Sequence, residues 1–186
     1  MYAVEMQNNR LFLATILALT AVPAAAEVVD SASNGFTVKT VLQIQAAPDA
    51  VYRNLIQVGT WWNSAHTFSG DAKNLSIEEK PGGCFCEKLP NGGGVRHMQV
   101  VFFAPGKTLV LSGGLGPLQS IGASGSMSIQ LAAAEGGTKL QVTYAVAGYL
   151  AAGLNTYAAP VDSVLAEQFG RLKNLVEQGS PVTKAK

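Results

Sequence analysis

Charge is scarce in this sequence. Only 13% of its 186 residues are Asp, Glu, Lys or Arg, where about a quarter is usual for a globular domain. Net charge is +1. Without a basic run there is no electrostatic footprint for nucleic acid, and that class of partner is excluded. So low a charge points either to an apolar interior larger than a packed core needs or to an adhesive surface. The first suits an internal cavity. Histidine, cysteine and tryptophan are also scarce, at two residues each. Chemistry from an imidazole, thiol or indole therefore rests on His66, His97, Cys84, Cys86, Trp61 and Trp62. No Ser–His–Asp order is visible, and Gly122-Ala123-Ser124-Gly125 lacks the strand–turn–helix context of a nucleophile elbow. Gly113-Gly114-Leu115-Gly116-Pro117 is followed by no Lys-Ser/Thr, so it is no phosphate loop; it reads as a flexible rim over a pocket. The apolar run Leu11 to Val22 is about a dozen residues, short of the roughly 20 a spanning helix needs.

That run reads as the centre of a secretory leader covering residues 1–26. Arg10 supplies the positive end and Pro23-Ala24-Ala25-Ala26 the small residues before cleavage. Met6 is an alternative start. No cysteine follows the cleavage point, so a lipid anchor is not expected. Cleavage removes one acid and one base, and the mature chain is the size of a single domain with one core. The expectation is an exported protein, periplasmic or secreted, with no stable membrane insertion after cleavage.

The stretch around which the remainder is expected to fold runs from Ala158 to Glu177. Val161, Val164, Leu165, Phe169, Leu172, Leu175 and Val176 recur at helical steps and form one stripe. Asp162, Glu167, Arg171 and Lys173 fall mostly opposite. Pro160 suits the first turn and Gly179 a stop. A helix of roughly 18–20 residues is about 30 Å long, enough to cross a sheet. Gly170 interrupts it at a cost of about 1 kcal/mol, which suggests close approach of a strand or ligand to the helix backbone.

Upstream, residues 27–35 are small and polar and read as a loose lead-in. Phe36 to Gln45 alternates as a half-buried strand. Pro48-Asp49 opens a short helix carrying Val51, Leu55 and Val58, and Thr60 to Asn63 begins a second helical turn. Further strands are predicted at Leu75–Glu79, Cys84–Leu89, Val95–Phe103, Thr108–Ser112, Ser124–Leu131 and Thr138–Val146. Asn91-Gly92 gives the strongest hairpin signal. Sequential hairpins make an antiparallel sheet with helices on one face, an α+β fold, here spanning residues 36–178 with a disordered tail at 179–186.

The order of elements, the Pro48-Asp49-Val51-Tyr52 helix start and the following Trp61-Trp62 resemble the SRPBCC or START-like helix-grip superfamily. The likeness is strongest to the branch of heat-shock ATPase activators and polyketide cyclase-like proteins. The resemblance implies a curved antiparallel sheet of six or seven strands wrapped around a long C-terminal helix, with two short helices after the first strand. It also implies an apolar pocket, and no particular reaction or cofactor. Three functions are the resulting expectations: a carrier of a small apolar or amphipathic molecule, a cyclase- or dehydratase-like enzyme, and a protein-interaction module.

Candidate wall residues for the pocket are Trp61, Trp62, Phe85, Met98, Phe102, Tyr144 and Phe169. On a helix the two tryptophans would point about 100° apart, so at most one faces the core fully. His66, in a loop beside Thr67, Ser69 and Asp71, and His97, on a strand face with Gln99 and Val101, are candidate acid–base groups. Each also has a structural reading. Glu87 is expected either to pair across the hairpin with Arg96 or to enter the cavity, where burial without a cation would raise its pKa. Cys84 and Cys86 lie about 6.6 Å apart in a regular strand, at the edge of disulfide geometry unless a bulge intervenes. Buried thiols, a disulfide, and metal ligands alongside the histidines all remain open.

Overall fold

A computed structural model describes residues 25–183. Residues 1–24, most of the expected leader, and residues 184–186 lie outside them. Ten elements organise the described chain: β1 (Ala25–Ala32), β2 (Gly35–Ile44), α1 (Pro48–Leu55), β3 (Leu75–Ile77), β4 (Cys84–Lys88), β5 (Gly94–Ala104), β6 (Thr108–Gly113), β7 (Gly122–Ala134), β8 (Gly137–Tyr149) and α2 (Ala158–Gln178). The strands form one sheet in the order β1-β2-β8-β7-β6-β5-β4-β3, antiparallel throughout. α2 packs across its concave face, the α+β helix-grip arrangement.

Alternation places the core. In β2, Phe36, Val38, Leu42 and Ile44 are buried, and in β8 Leu140, Val142, Tyr144 and Val146. α2 answers with Leu165, Phe169 and Leu172. It ends where Gly179 takes φ 71° and its N–H donates to Leu175 O at 2.9 Å, the left-handed stop that glycine adopts without a Cβ penalty. At the β4–β5 hairpin, Asn91 and Gly92 have φ 61° and 79°. α1 buries Val51, Tyr52 and Leu55, and single turns of tighter helix at Val58–Thr60 and Ser64–His66 come after it.

Three expectations fail here. The lead-in is a strand: β1 pairs with β2 from Ala25↔Val41 to Ala32↔Gly35, bringing the sheet to eight strands. As an edge strand with its described side chains exposed, it has backbone partners but no buried face, so no alternation announces it. The tail folds back through residue 183, where Asn174 Nδ2 donates to Thr183 Oγ1 at 3.2 Å. Gly170 admits nothing close, since a Cβ built there meets no atom within 4 Å.

Two irregularities in β5 matter more. The ladder with β4 jumps from Phe85↔Met98 to Cys86↔Arg96, leaving His97 extra, and the ladder with β6 jumps from Val100↔Leu111 to Phe102↔Val110, leaving Val101 extra. Each bulge reverses the inward–outward sense of the residues beyond it.

Candidate functional site

Between the first half of α2 and the sheet lies a cavity of about 380 Å³, within the roughly 300–1,000 Å³ of small-molecule sites. α2 contributes Pro160, Val161, Val164 and Leu165; the strands give Leu75, Phe85, His97 and Tyr144; the loop after α1 gives Trp62 and Ala65 to Phe68. Leu115 to Leu118 and Tyr157 complete the wall. The glycine-rich segment does form a rim, and Tyr144 anchors it: Leu115 N–H donates to the Tyr144 hydroxyl at 3.0 Å, and that hydroxyl donates to Gly113 O at 2.9 Å. Burial pushes the Tyr144 pKa up to about 12, against a smaller opposing effect of the Leu115 N–H.

Of the seven expected wall residues, Trp62, Phe85 and Tyr144 line this cavity. Trp61, Met98 and Phe169 are buried in the packed core beside it. Phe102 is turned away and 54% exposed, because the Val101 bulge puts it on the outer face. Both tryptophans are buried, contrary to the helical argument, since Trp61 comes after the Val58–Thr60 turn in a non-helical conformation. Trp61 is the structural plug: its Nε1 donates to Asn54 O at 3.0 Å and its ring meets Phe169 at 5.7 Å. Trp62 faces the cavity, its Nε1 donating to His66 O at 3.0 Å and its ring edge-on to Phe85 at 6.0 Å.

Both histidines border the same space. His66 ends the Ser64–His66 turn, with Nε2 3.1 Å from Glu167 Oε2. The Asn63 side-chain amide, outweighing partial burial and helped by His66, holds the Glu167 carboxyl below its ordinary pKa. His97 was expected beside Gln99 and Val101, but as the bulged residue it is buried while both of those are exposed. Its Nε2 lies 3.0 Å from Glu87 Oε2, both side chains almost wholly enclosed. Phe68 stacks on its ring at 5.9 Å, and Phe85 lies at 5.3 Å.

Glu87 makes no ion pair with Arg96 among the described residues. The bulge sets Cys86 opposite Arg96 and Glu87 opposite Val95, so the base stays outside and the acid turns in. There the carboxylate accepts from the N–H groups of Phe68 and Ser69 and from His97. Burial alone would raise its pKa, but the contacts from Ser69, Phe68 and His97 outweigh it and the net shift is downward. The rise expected for an unpaired acid is thus reversed. Sequence reasoning also missed Phe68, 56% exposed at the rim; a lone aromatic in a polar loop carries no periodicity to reveal it.

Cys84 and Cys86 form a disulfide, with Cα atoms 5.3 Å apart. The shortening from regular strand spacing falls beside the His97 bulge. Bonded sulfurs offer a metal no thiolate, and they alternate with the inward Phe85 and Glu87, so the metal-ligand reading fails. Among the described residues no cluster of three or more His, Cys, Asp or Glu could hold a metal ion.

Fold and site together define an α+β helix-grip domain with a cavity under its long helix. Among solved structures, it resembles an uncharacterised protein from Rhizobium leguminosarum (TM-score 0.58, 16% identity, covering 84% of this chain and 99% of that one). The Aha1 dimer from Colwellia psychrerythraea matches with TM-score 0.53 at 20% identity, covering 77% and 97% respectively. CalU16 from Micromonospora echinospora matches with TM-score 0.58 at 12% identity, covering 86% of each chain. At these identities the likeness is one of fold. No family model and no curated protein matches the sequence.

Proposed function

We propose that the protein binds a small apolar or amphipathic molecule in the cavity between the sheet and α2. The supporting observation is the void itself: about 380 Å³ where sheet and helix part, walled largely by Trp62, Phe68, Phe85, Val161, Val164 and Leu165. A guest there gains about 25 cal/mol for each Å² of apolar surface it loses to water, enough for useful affinity without a catalytic group. Trp62 is the built-in reporter. Titration with ANS and with a panel of lipids and aromatics should change tryptophan emission, and Trp62→Phe should remove most of that change. If no probe in the panel binds or alters emission, the carrier reading is wrong.

A second reading, a cyclase- or dehydratase-like enzyme, gains support from one fact: His66 and His97 border one cavity, with Glu87 behind His97. General acid–base catalysis contributes about 10²–10⁴-fold. A poly-β-ketone substrate should then be turned over by the wild type and at least a hundredfold more slowly by His97→Gln. Export belongs to the proposal through the leader-like N-terminus, and it is checked by sequencing the N-terminus of the protein recovered outside the cytoplasm. Glu27 is the expected first residue.

A further inference from the structure

The polar side chains on the cavity wall differ in whether they already have partners. Trp62 Nε1 and Thr67 Oγ1 donate to backbone carbonyls, the Tyr144 hydroxyl both donates and accepts, and His66 is held by Glu167, while the Tyr157 hydroxyl is without a partner among the described residues on a side chain that is only half-buried. His97 differs. It is 4% exposed, and its Nδ1 has no hydrogen-bond partner. Its other nitrogen is committed, because Glu87 is ionised in its cradle of N–H groups and a carboxylate can only accept. Nε2 therefore carries the proton given to Glu87, and in the neutral ring the lone pair is left on Nδ1. A buried acceptor without a donor is unfavourable, and among the described residues no donor meets this one. The ring is covered by Phe68, stacked 5.9 Å away. Phe68 is itself more than half exposed on a loop, so an entering guest can displace it without disturbing the core.

Taking the cavity reading as given, we propose that His97 Nδ1 receives the single hydrogen-bond donor of the guest. The ligand class is then an apolar body carrying one hydroxyl, an alcohol or a phenol, and His97 selects it over the hydroxyl-free counterpart. A site with a fixed, buried polar group disfavours an analogue that leaves it unpaired. Glu87 acts here as a positioning residue, fixing the tautomer and the ring's orientation.

The test uses the full chain and a matched pair of probes, 2-naphthol and 2-methoxynaphthalene, which differ in whether the oxygen can donate. By calorimetry, 2-naphthol should bind about tenfold tighter, or about 1.4 kcal/mol. In ¹⁵N-labelled wild-type protein, only 2-naphthol should shift the His97 Nδ1 resonance, and this needs no variant to fold. His97→Phe should bring the two affinities together while still binding both. Equal affinities in the wild type, or a preference for 2-naphthol with Nδ1 unmoved, overturn the assignment and leave the cavity reading standing. A preference that survives His97→Phe assigns the hydroxyl to another group, such as Tyr157, and also overturns it. If neither naphthalene binds while ANS or a lipid of the panel does, the assignment is overturned and the cavity reading stands.

Discussion

A carboxylate with no exposed side-chain surface is costly unless its lone pairs are met by donors. Glu87 meets that condition with two loop N–H groups and an imidazole. Removing it strands three donors at once. Glu87→Ala is expected to cost about 3–5 kcal/mol, the range for breaking a buried pair, read from the midpoint of urea unfolding. The pH dependence comes from the downward shift of its pKa. In acid the unfolded chain takes up this proton first, so it binds more protons than the native state and stability falls as the pH is lowered. The contribution is complete above the ordinary Glu range near pH 4.3 and is lost as pH drops through the lower folded value. Glu87→Gln should flatten unfolding free energy as the pH is lowered through and below the ordinary Glu range, relative to the wild type. An unchanged slope would show that other carboxylates carry the acid sensitivity.

Among the elements, α2 was almost wholly legible in the sequence, because a long amphipathic repeat is set by local geometry. Its Gly170 was misread. With open space where a Cβ would stand, the residue is a helix weakness without a packing reason. Gly170→Ala should stabilise the protein by about 1 kcal/mol, visible as a raised thermal midpoint with probe affinity unchanged. The strands were also read from alternation, except β1, which is held by backbone pairing and one exposed Lys39–Glu27 ion pair and whose side chains face water. β5 marks where such reading stops. A period of two fixes faces only while the ladder is regular, and the bulges at His97 and Val101 each shift it by one residue. Phe102 was therefore placed on the cavity wall and His97 on one face with Gln99 and Val101, which it does not share. The site depends on a strand whose irregularity sequence spacing does not encode.

For the whole molecule, a void between sheet and helix, open at its rim, forgoes the dispersion contacts that a filled core would make. The sequence hinted at such an interior through its low charge, without locating it. Val164, half-buried on the cavity wall, offers a way to fill it. Val164→Phe should occupy part of the space and weaken probe binding at least tenfold. Because open space receives the ring, unfolding free energy should fall by less than the roughly 1–3 kcal/mol that added bulk costs in a well-packed core. If binding is retained at full strength, guests lodge elsewhere.

The Cys84–Cys86 link closes a loop of only three residues, and the chain freedom it removes from the unfolded state corresponds to about 1.5 kcal/mol. So small a contribution cannot decide whether the domain folds. Treatment with a reductant should leave the circular dichroism spectrum intact and lower the thermal midpoint only modestly. The bond clasps the outer face of β4 at the level where β5 turns His97 inward, so opening it is expected to be felt as looser local order around that ring. Oxidised and reduced chains would then share one architecture while holding their guests with different firmness.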